Sequence, residues 1–227
     1  MLTDSTPFQT KTIQSPFSIC CSMIKGKPLF DFEKCLVFLE SQGKKLFGER
    51  FFIFKEDHEI IYKLLLYVIG DEENALKQGL SLNKGLLLTG PIGCGKTSLM
   101  KLLRFFQPPQ YRFSVRSCRD ISFAFISNGY DIIHQYSYGP LHDPIKVYCF
   151  DDLGTESNLK YYGNECNVMG EILLTRYELF VVKGLLTHCT TNCNSSEIEN
   201  FYGNRVRSRM REMFNLVAFD KEAKDKR

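Results

Sequence analysis

One octapeptide constrains the fold more than any other stretch. Gly90-Pro91-Ile92-Gly93-Cys94-Gly95-Lys96-Thr97 satisfies G-x-x-x-x-G-K-[ST] at every fixed position and follows the apolar run Gly85-Leu86-Leu87-Leu88-Thr89. Between a buried strand and a helix this sequence makes a P-loop. Glycines at 90, 93 and 95 allow backbone turns that a Cβ would block. Successive N–H groups then converge beside the positive end of a helix starting near Lys96. Such a nest suits a di- or triphosphate. Lys96 is placed to reach the β and γ phosphates, and the Thr97 hydroxyl to ligate Mg²⁺. The expected nucleotide-binding residues are Gly90, Pro91, Ile92, Gly93, Cys94, Gly95, Lys96, Thr97 and Ser98.

A second landmark lies about 55 residues further on. Ile145-Lys146-Val147-Tyr148-Cys149-Phe150-Asp151-Asp152-Leu153-Gly154 is a mostly apolar strand that delivers two adjacent carboxylates at its end, the Walker B pattern. Asp151 is placed to hold the Mg²⁺ shell and Asp152 to orient or deprotonate an attacking water, with Glu156 a further candidate for that water. Leu185-Leu186-Thr187-His188-Cys189-Thr190-Thr191-Asn192 is a later strand. It ends on an amide that a loop can bring to the γ-phosphate, whereas His188 reads as a packed strand residue.

The remaining chain alternates strands and helices. Asp57 to Leu76 carries Ile60, Ile61, Leu64, Leu65 and Val68 on one side of a helix broken or bent near Gly70-Asp71. Leu99, Met100, Leu102, Leu103 and Phe106 mark the helix after the P-loop, closed by Pro108-Pro109. Tyr111 to Val115 alternates as a strand, Cys118 to Ser127 and Tyr130 to Tyr136 read as helices, and Leu216 to Phe219 as a last strand. Val168, Met169, Ile172, Leu173 and Phe180 lie on another helix, which also carries Arg176. This order implies a parallel sheet in a three-layer α/β core over residues 56 to 227. Before it, residues 1 to 28 show no sustained period and read as a mobile tail. Residues 29 to 55 read as a small docking segment: a short helix capped by Asp31 and stopping before Gly43, then a strand at Phe51 to Phe54.

Composition excludes several classes. Apolar residues make up 44% and charged residues 24%, as in ordinary globular chains. No apolar run approaches a membrane span, since Lys63 interrupts even Ile60 to Ile69, and the N-terminus lacks a secretory plan, so a cytoplasmic protein without a membrane partner is expected. The nine cysteines show no C-x-x-C spacing and do not compose a disulfide framework or a zinc site. A net charge of +3 does not by itself announce nucleic acid.

Near the C-terminal end, Asn204-Arg205-Val206-Arg207-Ser208-Arg209-Met210-Arg211 places an arginine at every second position. On a helix these form two rows, Arg205 with Arg209 and Arg207 with Arg211. Taken in order, the P-loop, Phe150-Asp151-Asp152-Leu153-Gly154-Thr155-Glu156, Cys189-Thr190-Thr191-Asn192 and Tyr202-Gly203-Asn204-Arg205-Val206-Arg207-Ser208-Arg209-Met210 resemble the DnaC/IstB-like branch of the AAA+ ATPases, over about residues 84 to 220. The resemblance implies a P-loop NTPase with a parallel five-stranded sheet that lacks the C-terminal helical lid. It implies Mg-dependent ATP hydrolysis at a low intrinsic rate, with Asn192 as sensor 1 and Arg209, or else Arg205, as an arginine finger reaching a neighbouring subunit. Homo-oligomers acting as helicase loaders, or as replication or transposition accessory ATPases, are its functional expectation. The expected partners are a replicative helicase or transposase and single-stranded DNA. Asp152 stands where AAA+ proteins at large mostly have Glu. Two other classes use the same motifs: a small-molecule kinase of the P-loop class, and a nucleotide-binding switch with little hydrolysis.

Overall fold

The computed structural model describes residues 16–24, 27–139, 145–156, 159–161 and 164–227. The chain divides into two compact units, one ending at Phe51 and the other running from Phe52 to Arg227.

The second unit is built on five strands: β1 (Gly85–Thr89), β2 (Ser114–Ser117), β3 (Tyr148–Leu153), β4 (Thr187–Thr191) and β5 (Phe214–Ala218). They lie in the order β2-β3-β4-β1-β5, and every pairing is parallel. Parallel neighbours need crossovers, and helices supply them. The unit's helices are α1 (His58–Ile69), α2 (Glu72–Lys77), α3 (Lys96–Leu103), α4 (Cys118–Asn128), α5 (Tyr130–Ser137), α6 (Val168–Lys183) and α7 (Ser195–Met213). Because side chains alternate along a strand, adjacent residues face opposite helical layers. On β4 the His188 ring meets Tyr67 of α1 and Phe113. Its neighbour Cys189 joins a buried cluster with Ile121, Phe125, Phe150, Ile172, Val206 and Met210. Helices therefore cover both faces, and the central strands β1, β3 and β4 are largely buried, whereas the edge strands β2 and β5 keep exposed positions at Arg116 and Leu216. Among the described residues no helix follows β5.

Of the break or bend expected near Gly70-Asp71, the structure has the break. Gly70 adopts φ 77, closes α1 with a backbone bond to Leu66 O, and Asp71 caps α2 by accepting from the Asn74 N–H.

In the first unit two expectations are corrected. The helix capped by Asp31 runs from Phe32 to Phe47, straight through Gly43, and ends at Gly48 with φ 101. Gly43 is there for space: a Cβ on it would lie 2.1 Å from the Phe51 ring, which fills that position. Phe51 to Phe54 forms no strand and pairs with none among the described residues. Its apolar character serves ring packing, Phe51 against Phe47 in the first unit and Phe52 against Phe54 in the second. The tail expected over 1–28 lies outside the described residues for 1–15. From Pro16 the chain forms a short helix, Pro16–Cys20, and an antiparallel pair, Cys21–Ile24 with Lys27–Phe30, held to the longer helix by the Asp31 N–H on Cys20 O at 2.8 Å. Four-residue strands are too short to show a readable period.

Candidate functional site at the ends of the strands

The P-loop joins β1 to α3 with Gly90, Gly93 and Gly95 at φ 155, 79 and 100, each in backbone space that a side chain would strain. The Lys96 side chain folds back into the loop. Its Nζ donates to Gly90 O at 2.9 Å, to Pro91 O at 2.8 Å and to Asn192 Oδ1 at 2.5 Å, and lies 3.7 Å from Cys94 Sγ. Lys96 is buried, and among the described residues no carboxylate pairs with it. A buried ammonium satisfied only by neutral oxygens is costly in isolation and favours an anion brought to it. Cys94 is buried inside the same loop, Ile92 is exposed, and Thr97 and Ser98 are half-buried in the first turn of α3.

Asp151 and Asp152 are presented by a β-bulge. On β3 Phe150 pairs with Cys189 and Leu153 with Thr191 of β4, so the two aspartates together oppose the single residue Thr190. The second of them takes φ 57, a conformation aspartate tolerates better than bulkier residues. Thr190 makes the bulge possible. Its hydroxyl donates to Asp151 Oδ1 at 2.7 Å and accepts the Asp152 N–H at 2.9 Å. The Thr97 hydroxyl donates to the same Asp151 Oδ1 at 2.8 Å, which ties the P-loop helix to β3. Burial pushes the Asp152 carboxyl above the ordinary carboxylate range; the Asp151 charge adds to the rise and Lys96 opposes it. A carboxylate made more basic in this way is a better proton acceptor.

The other expected site residues are distributed differently. Glu156 has both oxygens engaged, one by the Gly154 N–H at 3.1 Å and the other by the Tyr202 hydroxyl. Helix α7 begins with a capping box between Asn194 and Glu197 and is interrupted at Gly203, with φ 81 and ψ 163, so Arg205 and Arg209 lie on its second half. Arg205 is exposed. Arg209 lies 4.8 Å over the Tyr177 ring, whose hydroxyl donates to Glu212 at 2.8 Å. Arg207 is bound within its own helix, to Glu199 at 2.8 Å and to Ser195. Among the described residues neither Arg205 nor Arg209 bonds to the P-loop or to the β3 aspartates. The structure thus brings together Lys96, Thr97, Asp151 and Asn192, sets Asp152 beside them, and leaves the two arginines elsewhere on the surface.

Sequence reasoning missed Thr190 and Tyr202. A hydroxyl on the strand beside the paired aspartates was a usable signal for Thr190, because a bulge leaves an N–H without a ladder partner. For Tyr202 no local pattern existed, since its partner Glu156 is far away in sequence.

No protein-family model and no curated protein matches the sequence. Similar solved structures do exist. The crystal structure of the DnaC helicase loader superposes with a TM-score of 0.52 at 19% identity, covering 74% of this chain and 92% of that one. A DNA replication initiation factor gives 0.51 at 15% identity over 74% of this chain and 48% of its own. The replication initiator DnaA, bound to AMPPCP and single-stranded DNA, gives 0.51 at 14% identity over 76% and 49%. The chain therefore spans about half the length of these two initiators. The likeness is one of fold, and it joins the strand order and the loop between β1 and α3 in one conclusion: the chain has a DnaC-like AAA+ fold, an α/β P-loop NTPase architecture.

Proposed function

We propose that this chain binds and hydrolyses ATP with Mg²⁺ and works in the cytoplasm as a DnaC-like helicase loader or as a replication or transposition accessory ATPase. The observation that carries the reading is the buried Lys96 ammonium, held by Gly90 O, Pro91 O and Asn192 Oδ1 with no carboxylate partner among the described residues, beside a Thr97 hydroxyl already on Asp151. In this reading the N–H groups of residues 93 to 98 and Lys96 hold the phosphates, and Asn192 senses the γ-phosphate. Among the described residues no group of three or more His, Cys, Asp or Glu side chains could cage a metal. Mg²⁺ takes one or two protein ligands plus phosphate oxygens and water, and Thr97 and Asp151, joined at 2.8 Å, are the residues that would hold it. Asp152 is the residue that takes the proton of the attacking water. Glu156, occupied by Tyr202 and Gly154, serves instead to hold the end of β3.

Arg209 is assigned as the finger that completes a neighbour's site, with Arg205 as second candidate, so the active form is a homo-oligomer and a lone subunit is slow. The DnaC neighbour is described as a helicase loader, and the DnaA neighbour is bound to single-stranded DNA. A replicative helicase or transposase and single-stranded DNA are the partners proposed by that analogy, and residues 29 to 55 are the proposed docking segment. No described helix is long and apolar enough to cross a membrane. Phosphate release measured alone, with single-stranded DNA and with small-molecule phosphoryl acceptors tests the reading. Release stimulated by DNA supports it; transfer to an acceptor would assign a kinase instead, and binding without release a switch.

A further inference from the structure

After β5 the chain returns across the P-loop. The Phe219 N–H donates to Thr89 O at 2.8 Å and the Lys226 N–H to Gly93 O at 3.0 Å. Lys226 Nζ donates to Cys94 O at 3.1 Å and to both carboxylate oxygens of Asp57, at 2.6 and 2.5 Å. Lys226 and Asp57 are only 11% and 13% exposed, so this ion pair is shielded from water in a way surface pairs are not. The same ammonium lies over the rings of Phe54 and Phe219, 5.4 and 5.5 Å from their centroids. Asp225, held by the Arg227 guanidinium at 3.0 and 2.7 Å, leans on Gly93, where an added Cβ would lie 2.2 Å from Oδ1.

The acceptors decide what this segment does. In a planar trans peptide the C=O and the following N–H point in opposite directions. Gly93 O belongs to the peptide that carries the Cys94 N–H, and Cys94 O to the one that carries the Gly95 N–H. Lys226 holds both carbonyls, so it also fixes where those two donors point. The Cys94 N–H points into the loop, toward Pro91 O at 3.4 Å. Glycines on either side of Cys94 make these peptides easy to rotate, and an unrestrained loop would have to order them when a ligand binds.

We propose that residues 220 to 227 are a brace that pre-organises the phosphate-binding loop for a nucleoside di- or triphosphate, with Lys226 as the positioning residue and Asp57 as its anchor. The inference rests on the reading of residues 90 to 98 as a nucleotide site. Two measurements on the full chain test it: amide hydrogen exchange at Cys94 and Gly95 without nucleotide, and titration with a fluorescent ATP analogue and Mg²⁺. Lys226→Met and Asp57→Asn should each speed exchange chiefly at Gly95, whose peptide carbonyl is held by Lys226 Nζ, and less at Cys94, whose peptide keeps the Lys226 main-chain N–H. They should weaken binding about tenfold, the order expected when pre-organisation of a few groups is lost. Lys226→Arg, which can still reach a carbonyl and Asp57, should recover most of the loss, and its thermal midpoint should stay close to the parent's. That of Lys226→Met should fall, since the shielded Asp57 carboxylate loses its cation, and binding is therefore read well below both midpoints. Unchanged exchange and affinity would reduce the segment to packing. Tighter binding in Lys226→Met would make it a plug that competes with the ligand, and would equally overturn the brace. If the parent binds no nucleotide, the site reading fails, while the exchange data still decide whether Lys226 orders the loop.

Discussion

Replacing Arg176 by Met should destabilise the fold severely while leaving ligand contacts at the other end of the sheet intact. Arg176 is fully buried on α6, and no carboxylate pairs with it among the described residues. Its five hydrogen bonds run to Thr187 Oγ1 at 2.7 Å and to the carbonyls of Tyr136, Ser137, Lys146 and Leu186 at 3.1 to 3.3 Å. It lies over the rings of Tyr148 and Phe150. Burial lowers its pKa to about 10, still well above neutrality, so the cation persists. The guanidinium thereby clamps the starts of β3 and β4 to the end of α5, and these strands carry Asp151 and Asn192 at their far ends. Methionine fills much of the volume but leaves five acceptors without a donor. Two of them, Thr187 Oγ1 and Ser137 O, are in fully buried bonds. Counting about 1.5 kcal/mol for each of these two, and a few tenths for each of the others, gives about 3 to 4 kcal/mol. In a chain of this size that is a fall of about 10 °C in the thermal midpoint. Arg176→Lys, with three donors for five acceptors, should fall between. Urea denaturation followed by circular dichroism reads the loss as a lower midpoint at unchanged slope. A loss below about 1 kcal/mol would show that the clamp contributes little beyond its packing.

Other predictions concern the site and the pH dependence. Asp152→Asn and Arg209→Ala should each bind ATP but scarcely hydrolyse it, since fingers of this kind supply about 10³ to 10⁵ in rate. Mixed in equal amounts they should regain partial activity, and a mixture that co-assembles but stays inactive would return Arg209 to a surface role. Thr190→Val should cost Asp151 a donor and leave the Asp152 N–H unpaired, about 2 kcal/mol of stability by urea denaturation, with weaker Mg²⁺ dependence of binding; unchanged behaviour would mean the bulge holds without it. Burial, with Arg176 adding to it, lowers the His188 pKa from 6.5 to about 3, and the neutral ring accepts the Leu86 N–H at 3.1 Å. Below pH 6.5 the unfolded chain takes up a proton that the folded one refuses. Stability from this group is therefore complete above 6.5 and falls by about 1.4 kcal/mol per pH unit down to about 3. Denaturant titrations at pH 7 and 5, compared with His188→Asn, isolate it, and an equal acid loss in both proteins would refute the assignment.

Strands β1 and β3 were legible because each is a largely apolar run, as a strand buried on both faces must be. The edge strand expected over Tyr111 to Val115 instead lies at Ser114–Ser117, after a 3-10 turn at Pro109–Tyr111, because its polar residues carry no such run. The P-loop and the paired aspartates were legible because their chemistry needs fixed residue types at fixed spacing. What escaped was pairing at a distance. Nothing near Phe51 tells that its ring would sit on Gly43 and carry the helix through a glycine. Nothing in Thr-Thr-Asn distinguishes Thr190, which supports the bulge, from Thr191, whose hydroxyl donates to Leu153 O. The stretch from Lys221 to Arg227 reads in the sequence only as a charged tail, since charge alone does not reveal that Lys226 meets Asp57, 169 residues away. Arg176 was visible as a residue on a helix, but its burial depends on carbonyls that only the assembled fold gathers.

The most direct test of the nucleotide site is calorimetric titration of ATP, with and without Mg²⁺, into the parent chain and Lys96→Ala. Saturable binding at one site per chain, tighter with Mg²⁺ and weakened about a hundredfold or more by loss of the Lys96 ammonium, is the predicted result. A parent chain that takes up no ATP, or a Lys96→Ala chain that binds it as the parent does, would contradict the account.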